Sequence, residues 1–150
     1  MKSEKFASAL LWRIKSLKGM MGILCAAFFI FHFSFFISCS NPTPEELASL
    51  AAKGYYEHLA AGEYEAFVQG MNGTEEAPQD YVHQLRLSVQ QCQQRYQDLH
   101  KGIQEVRVSS AKADSTLHCT QVFLILCFAD STQEEICVPM VEQNGQWRMR

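Results

Sequence analysis

The sequence predicts an α+β domain over residues 43–150, in which three helices precede a four-stranded antiparallel sheet. Apolar residues recur at steps of three and four up to about residue 101, which is the spacing of one helix face. From residue 105 the spacing changes to two, which is typical of strands. Asn144-Gly145 is a strong signal for a two-residue hairpin. Helices followed by strands favour a segregated α+β arrangement.

The first helix is predicted to begin at Thr43-Pro44-Glu45-Glu46. Thr43 suits the N-cap and Pro44 suits the first helical position, while Glu46 completes a capping box. Ala60-Ala61-Gly62 interrupts the helix, and a short second helix is expected over residues 63–71. The predicted apolar stripe of the first helix consists of Leu47, Leu50, Ala51, Tyr55 and Leu59.

The third helix is predicted to run from Asp80 to about Lys101, with Gly102 at its end. Gln residues occupy its other faces, which is typical of a solvated helix side. Its predicted stripe follows steps of four and three and consists of Leu85, Val89, Cys92, Tyr96, Leu99 and Ile103.

Four strands are predicted after the helices, over residues 105–111, 117–128, 134–142 and 146–150. The second strand is apolar on both faces over residues 122–128, so both of its faces must be covered. The helices can cover one face, and we expect Phe123 and Ile125 to point towards them. A second copy of the chain, a loop or the Trp147 side chain could cover the other face.

The N-terminal region has the order of an export signal. Residues 1–18 carry five basic residues and one acid, and residues 20–37 carry no Asp, Glu, Lys or Arg. The following Ser38-Cys39-Ser40 resembles the cleavage box of a bacterial lipoprotein. Residues 1–38 would then be a signal peptide cleaved after Ser38, Cys39 would carry the lipid, and residues 39–42 would be a tether. An uncleaved membrane helix is the alternative, because 18 apolar residues just reach the length needed to span.

The composition after residue 38 excludes some classes of partner. Eight basic and fifteen acidic residues remain, which gives a net charge of −7. Such an acidic domain argues against nucleic acid as a partner and against docking on anionic lipids through a basic patch. No metal-binding or catalytic motif is present in the sequence, so we predict no metal, cofactor or catalytic residue.

Four cysteines remain after the signal, and an exported protein can pair them. If the hairpin between residues 127 and 137 turns symmetrically about Thr132, Cys127 lies directly opposite Cys137, which predicts a disulfide. Buried free thiols are the alternative, since Cys packs as a small hydrophobe. Cys92 and Cys119 complete the set.

Ala-Asp-Ser-Thr occurs twice, at residues 113–116 and 129–132. Asp-Ser-Thr resembles the short O-glycosylation acceptor of exported proteins in Bacteroides-like bacteria, which would make Ser115 and Ser131 acceptors. Ordinary turn chemistry is the alternative, because Asp and Ser side chains bond their own backbone.

Two stretches resemble the nuclear-transport-factor-2-like (cystatin-like) cone fold, and in particular small Bacteroidetes-like lipoproteins built on it. One is the interrupted helical segment 55–65, and the other is the closing run 138–149, in which Asn144-Gly145 precedes Trp147. The resemblance covers about residues 43–150. It implies a curved sheet around a cone-shaped pocket, which we expect Tyr64, Tyr96, Phe123 and Ile125 to line. Members of this family include isomerases, dehydratases, ligand-binding proteins and dimerisation modules, so the fold alone names no reaction.

We therefore expect a non-catalytic domain that binds a small apolar ligand or a partner at the cell envelope, held by lipid to the inner or outer membrane. One alternative is a small enzyme of the isomerase or dehydratase kind that uses Tyr96 in the cone. The other is a homodimeric interaction protein that pairs through the second face of the central strand.

Overall fold

The computed structural model describes residues 41–150 and confirms the α+β prediction. Helices α1, α2 and α3 precede an antiparallel meander in which β1, β2, β3 and β4 pair in chain order. The predicted signal peptide, Ser38 and Cys39 lie outside the described residues. Within residues 41–150, no helix has both the length and the apolar character needed to cross a bilayer. The elements are α1 Pro44–Ala60, α2 Tyr64–Gln69, α3 Gln79–His100, β1 Ile103–Asp114, β2 Cys119–Phe128, β3 Gln133–Gln143 and β4 Gln146–Met149.

Helix α1 begins as predicted, but its buried face is only partly the predicted one. Thr43 and Glu46 form the capping box, in which each side chain accepts a hydrogen bond from the other residue's backbone N–H. Leu59 is buried as predicted, and Ala51 and Tyr55 pack partly buried against the core. Leu47 and Leu50 were predicted on the stripe but are exposed, and Ala48 and Ala52 are buried instead. Small alanines let the helix backbone approach the sheet closely, so here they mark the buried face better than leucines do.

Helix α3 packs against α2 and also contacts β1. Val89 is buried, and Leu85 and Tyr96 are partly buried against the core. Cys92 and Leu99 were predicted on the buried stripe but are exposed. The helix ends as predicted before Gly102, because Lys101 and Gly102 both adopt positive φ angles and their N–H groups bond the carbonyls of Gln97 and Tyr96.

The alternation along β2 defines two faces of the sheet. The inner face carries Val122, Leu124, Leu126 and Phe128, which are buried in the core shared with the helices. The outer face carries Phe123, Ile125 and Cys127, which are partly exposed. The prediction that Phe123 and Ile125 point towards the helices was therefore wrong. A strand that is apolar on both faces gives no sign of which face the helices cover.

The α+β unit has an apolar core of its own. Its buried residues extend from Ala48 to Met149, and Pro42–Arg150 forms a compact unit. A unit with its own apolar core can fold without the chain that precedes it. A chain that begins near residue 40 should therefore retain the domain.

The β2–β3 hairpin turns two residues earlier than predicted. Cys127 pairs with Gln133, and Cys137 pairs with Phe123, so the expected opposition of Cys127 and Cys137 was wrong. The loop closes through the Ser131 N–H to Phe128 carbonyl bond, while Phe128 N–H donates to the Thr132 carbonyl. Ser131 takes a left-handed conformation with φ 70°. This is the geometry of a three-residue loop with a bulge, centred on Asp130 rather than Thr132.

Candidate functional site

A cavity of about 420 Å³ lies where α1, α2, α3 and the ends of β3 and β4 meet. Its wall combines apolar side chains with polar ones, and two tyrosines contribute aromatic hydroxyls. The apolar and aromatic lining residues include Tyr56, Phe67, Met71, Tyr81, Leu85, Val138 and Met149, and the polar ones include Asn72, Thr74 and Arg150. A concave space in which a few polar groups accompany apolar side chains is the usual form of a small-ligand site.

Tyr56 places a hydroxyl in this wall. It extends from α1, and its ring meets the Phe67 ring edge-on with centroids 5.3 Å apart. Burial, with smaller contributions from the nearby Tyr96, Cys92 and Glu134, raises the pKa of Tyr56 to about 12. The phenol is therefore neutral at physiological pH and offers an O–H donor and an acceptor lone pair.

A second group of polar side chains lies close to Tyr56. Cys92 and Tyr96 lie one turn apart on α3, and Glu134 lies on β3 opposite Leu126. The Tyr96 ring packs at 34° on Phe128 with centroids 5.3 Å apart. Burial raises the pKa of Tyr96, and Glu134 and Cys92 add to that effect. Because Glu134 disfavours the phenolate of both tyrosines, this end of the site is arranged around neutral hydroxyls.

The predicted pocket residues have different positions in the structure. Tyr96 lies near Tyr56 but is not among the residues that line the cavity. The Tyr64 hydroxyl donates instead to Gln93 at 3.4 Å and links α2 to α3. Phe123 and Ile125 lie on the outer face of the sheet. None of the four predicted residues therefore lines the cavity.

Several residues of the cavity were missed from the sequence. Tyr81 and Leu85 lie one turn apart on α3, and that spacing could have extended the predicted stripe to Tyr81. Tyr56 follows Tyr55 directly, and the two adjacent rings point to different places. The Tyr55 hydroxyl donates to the Trp147 carbonyl at 2.9 Å, whereas Tyr56 reaches the cavity. No sequence signal distinguishes these two tyrosines.

His100, Asp130 and Thr132 form a cluster at the end of α3. His100 Nδ1 lies 3.0 Å from Asp130 Oδ2 and 3.1 Å from Thr132 Oγ1. Hydrogen bonds from the Thr132 side chain and backbone, with a smaller contribution from His100, lower the pKa of Asp130 to about 2. The His100 ring stacks on Phe128 with centroids 4.6 Å apart. Thr132 and Asp130 share the same imidazole nitrogen, so the cluster ties α3 to the β2–β3 loop rather than presenting a nucleophile.

The four cysteines of the described chain are free, with Cys92 and Cys137 exposed, Cys127 partly exposed and Cys119 buried.

Ser115 and Ser131 are both exposed in hairpin loops. In each Ala-Asp-Ser-Thr repeat, the Asp carboxylate accepts the N–H of the residue two positions later. The turn chemistry is therefore present at both sites, and O-glycosylation of Ser115 and Ser131 stays a prediction.

Residues 41–150 contain no group of three or more His, Cys, Asp or Glu side chains placed to hold a metal ion.

No protein-family model and no curated protein matches the chain. Among solved structures, the chain is similar to a Campylobacter jejuni protein provisionally described as an NTF2-like transpeptidase. The TM-score is 0.48 with 11% identity, over 65% of this chain and 92% of that one. A likeness of this degree transfers neither a reaction nor a substrate to the present chain.

Proposed function

We propose that this chain is a lipid-anchored cell-envelope protein whose cone-type domain binds a small, mostly apolar ligand. The observation that supports this most directly is the cavity of about 420 Å³ with Tyr56 in its wall. Ligand sites of small molecules commonly measure about 300–1,000 Å³. The sequence of residues 1–39 supports the anchor, and the acidic composition after residue 38 supports a partner other than nucleic acid.

The chemistry of the wall narrows the ligand class. Phe67, Met71, Leu85 and Met149 offer apolar contact, so most of the ligand surface should be hydrocarbon or aromatic. Tyr56 offers one hydroxyl, which suits a carbonyl, ether or hydroxyl on the ligand. Glu134 lies close enough to raise the pKa of Tyr56, but Arg150 lines the cavity itself, so the charges near the ligand have opposite signs. The wall therefore suits a ligand that is mostly apolar and carries a few polar groups.

The same electrostatics favour binding over acid–base catalysis. A general base works best when its pKa lies near the operating pH. The pKa of Tyr56 is about 12, so its phenolate is scarce at neutral pH. The fixed neutral hydroxyl can orient a ligand without accepting its proton.

Native mass spectrometry of residues 40–150, purified without denaturant from the native host, tests the ligand proposal. We expect an extra small mass that is lost when the protein is unfolded. Leu85→Trp should fill the cavity and abolish the added mass, while Leu87→Trp on the exposed side of the same helix should retain it. A bare protein for both the wild-type chain and Leu87→Trp would overturn the proposal.

The anchor is tested separately on the full chain expressed in a bacterium that processes lipoproteins. Intact mass should show the loss of residues 1–38 and the addition of acyl chains on Cys39. Cys39→Ala should abolish both changes, whereas Cys25→Ala, the matched control within the apolar run, should leave them intact. Cleavage elsewhere, or the same mass for both variants, would contradict the anchor.

A further inference from the structure

The outer face of the sheet has an apolar centre that the helices do not cover. Phe123, Ile125 and Cys127 of β2 point to this face, as the register with β1 and β3 requires. Pro139 and Val141 extend the apolar surface on β3. Trp147, which was expected to cover this face, packs partly buried against the core on the other side. No element within residues 41–150 lies over the outer face.

Charges of opposite sign flank this apolar centre in a single row. Arg107 of β1 pairs with Ile125 of β2, and Ile125 pairs with Glu135 of β3. The three side chains therefore point to the outer face at the same level of the sheet. Arg107 lies 4.0 Å from Glu105 across an exposed contact. Arg107 and Glu135 are both exposed.

We propose that this face binds a second copy of the chain, related by a twofold axis that runs along β2. Rotation by 180° about such an axis keeps each residue at the same position along the strand direction and reverses the order of the strands across the sheet. It places β1 of one copy over β3 of the other, so Arg107 of each copy meets Glu135 of its partner. Ile125 meets Ile125, and Phe123 meets Phe123, at the centre of the contact.

The position of the axis follows from the same row. Moving the axis to lie between β2 and β3 would place Glu135 over Ile125 and leave the carboxylate against apolar surface, which is costly. With the axis along β2, the dimer instead contains two Arg107–Glu135 pairs, and the apolar residues of the two copies contact one another. Two twisted sheets that pack face to face keep their strands within about 30° of one another, so this alignment is an ordinary one for sheets.

The size of the face predicts a weak dimer. Ten residues per strand and four strands give a plane of roughly 30 Å by 15 Å, on the order of 450 Å². A standard stable interface buries about 800 Å² per partner, so we expect a dissociation constant in the micromolar range. Among the outer-face residues, Cys137 and Pro139 also line the ligand cavity, whereas Arg107, Ile125 and Glu135 do not, so the charge pairs of the dimer do not depend on the proposed ligand.

Charge reversal at Arg107 and Glu135 tests the arrangement. The full chain is released from detergent micelles, and its oligomeric state is measured by native mass spectrometry. A concentration of about 20 µM lies above the low-micromolar dissociation constant expected of a small interface. Arg107→Glu gives each copy two acids at the contact, and Glu135→Arg gives each copy two bases. Like charges placed opposite one another are strongly unfavourable at an interface, so each variant alone should lose at least tenfold in dimer affinity. A mixture of the two variants restores both attractive pairs and should form the heterodimer.

The outcomes are decisive because both variants keep the same anchor and the same apolar centre. Restoration in the mixture supports the axis along β2 and also shows that both variants are folded. A monomeric wild-type chain overturns the proposal. Variants that dimerise alone as well as the wild-type chain, or a mixture that stays monomeric while the wild-type chain dimerises, also overturn it.

Discussion

Two neighbouring residues of β2 provide the sharpest test of how the sheet is oriented. Leu124 has 0% exposure and lies on the inner face, whereas Ile125 is partly exposed on the outer face. Substitution by alanine removes three carbon atoms at each position. Because composition and position along the strand are nearly the same, the difference in the free energy of unfolding reports which face meets the helices.

The expected magnitudes differ about threefold. For Leu124→Ala, three carbons at about 0.8 kcal/mol each give about 2.4 kcal/mol of lost transfer free energy. A residual cavity of about 60 Å³ at about 24 cal/mol per Å³ adds about 1.4 kcal/mol, for a total of about 4 kcal/mol. Ile125→Ala loses about half of the transfer contribution and leaves no closed cavity, so it should cost about 1.2 kcal/mol.

Urea unfolding of residues 40–150, at a concentration where the chain is monomeric, measures both values. With a slope of about 1.5 kcal/mol per molar urea, the midpoint of Leu124→Ala should fall by about 2.5 M and that of Ile125→Ala by less than about 1 M. Equal losses for the two variants, or a larger loss for Ile125→Ala, would refute the assignment of the faces.

Three further predictions follow from individual contacts. The pKa of Asp130 is lowered from 3.8 to about 2, so its stabilising contribution is present above pH 4 and is lost as the pH falls from about 4 to 2. In Asp130→Asn, the urea midpoint should therefore change less with pH over that range than it does in the wild-type chain. The ultraviolet titration of Tyr56→Phe should lack the phenol with a pKa of about 12. The stability of the wild-type chain should fall as the pH rises from 10 to 12, because the pKa of Tyr56 is higher in the folded chain than in the unfolded chain. Gly70→Ala places a methyl group into the Tyr55 ring and should lower the melting temperature, whereas Gly54→Ala, in open space on α1, should raise it through helix propensity.

Much of the fold was predictable because its signals are local. The capping box at Thr43 and the Gly102 stop act within a few residues, and the Asn144-Gly145 turn has the two positive φ angles that its sequence indicates. The β2–β3 register was not predictable in the same way. Asp130, Ser131 and Thr132 all suit a turn, and the bonds that select Asp130 as its centre include one from His100, thirty positions earlier in the chain.

The candidate site was harder to predict because it is made by long-range packing. The cavity brings together α1, α2, α3, β3 and β4, and none of these elements has a motif that marks its contribution. Tyr96 was predicted to face the core because it follows the period of α3, and it is partly buried there, beside Tyr56 rather than in the cavity wall. Tyr56 was not, because the buried face of α1 follows Ala48 and Ala52, and the phase of that face depends on how closely the helix approaches the sheet.

The error at Phe123 and Ile125 has a functional consequence. The neighbouring strands settle the orientation of β2, since Val106, Val138 and Met140 are buried on the inner face and their outer neighbours Arg107 and Glu135 are charged. The core is therefore complete without Phe123 and Ile125. Ile125 lies between an exposed cation and an exposed anion, and Phe123 lies on the same face of the same strand. Two large apolar side chains that the core does not need are better explained by a contact with another molecule than by the stability of the single chain. The inner face of the sheet therefore meets the helices, while Phe123 and Ile125 remain available on the open face for contact with a second copy.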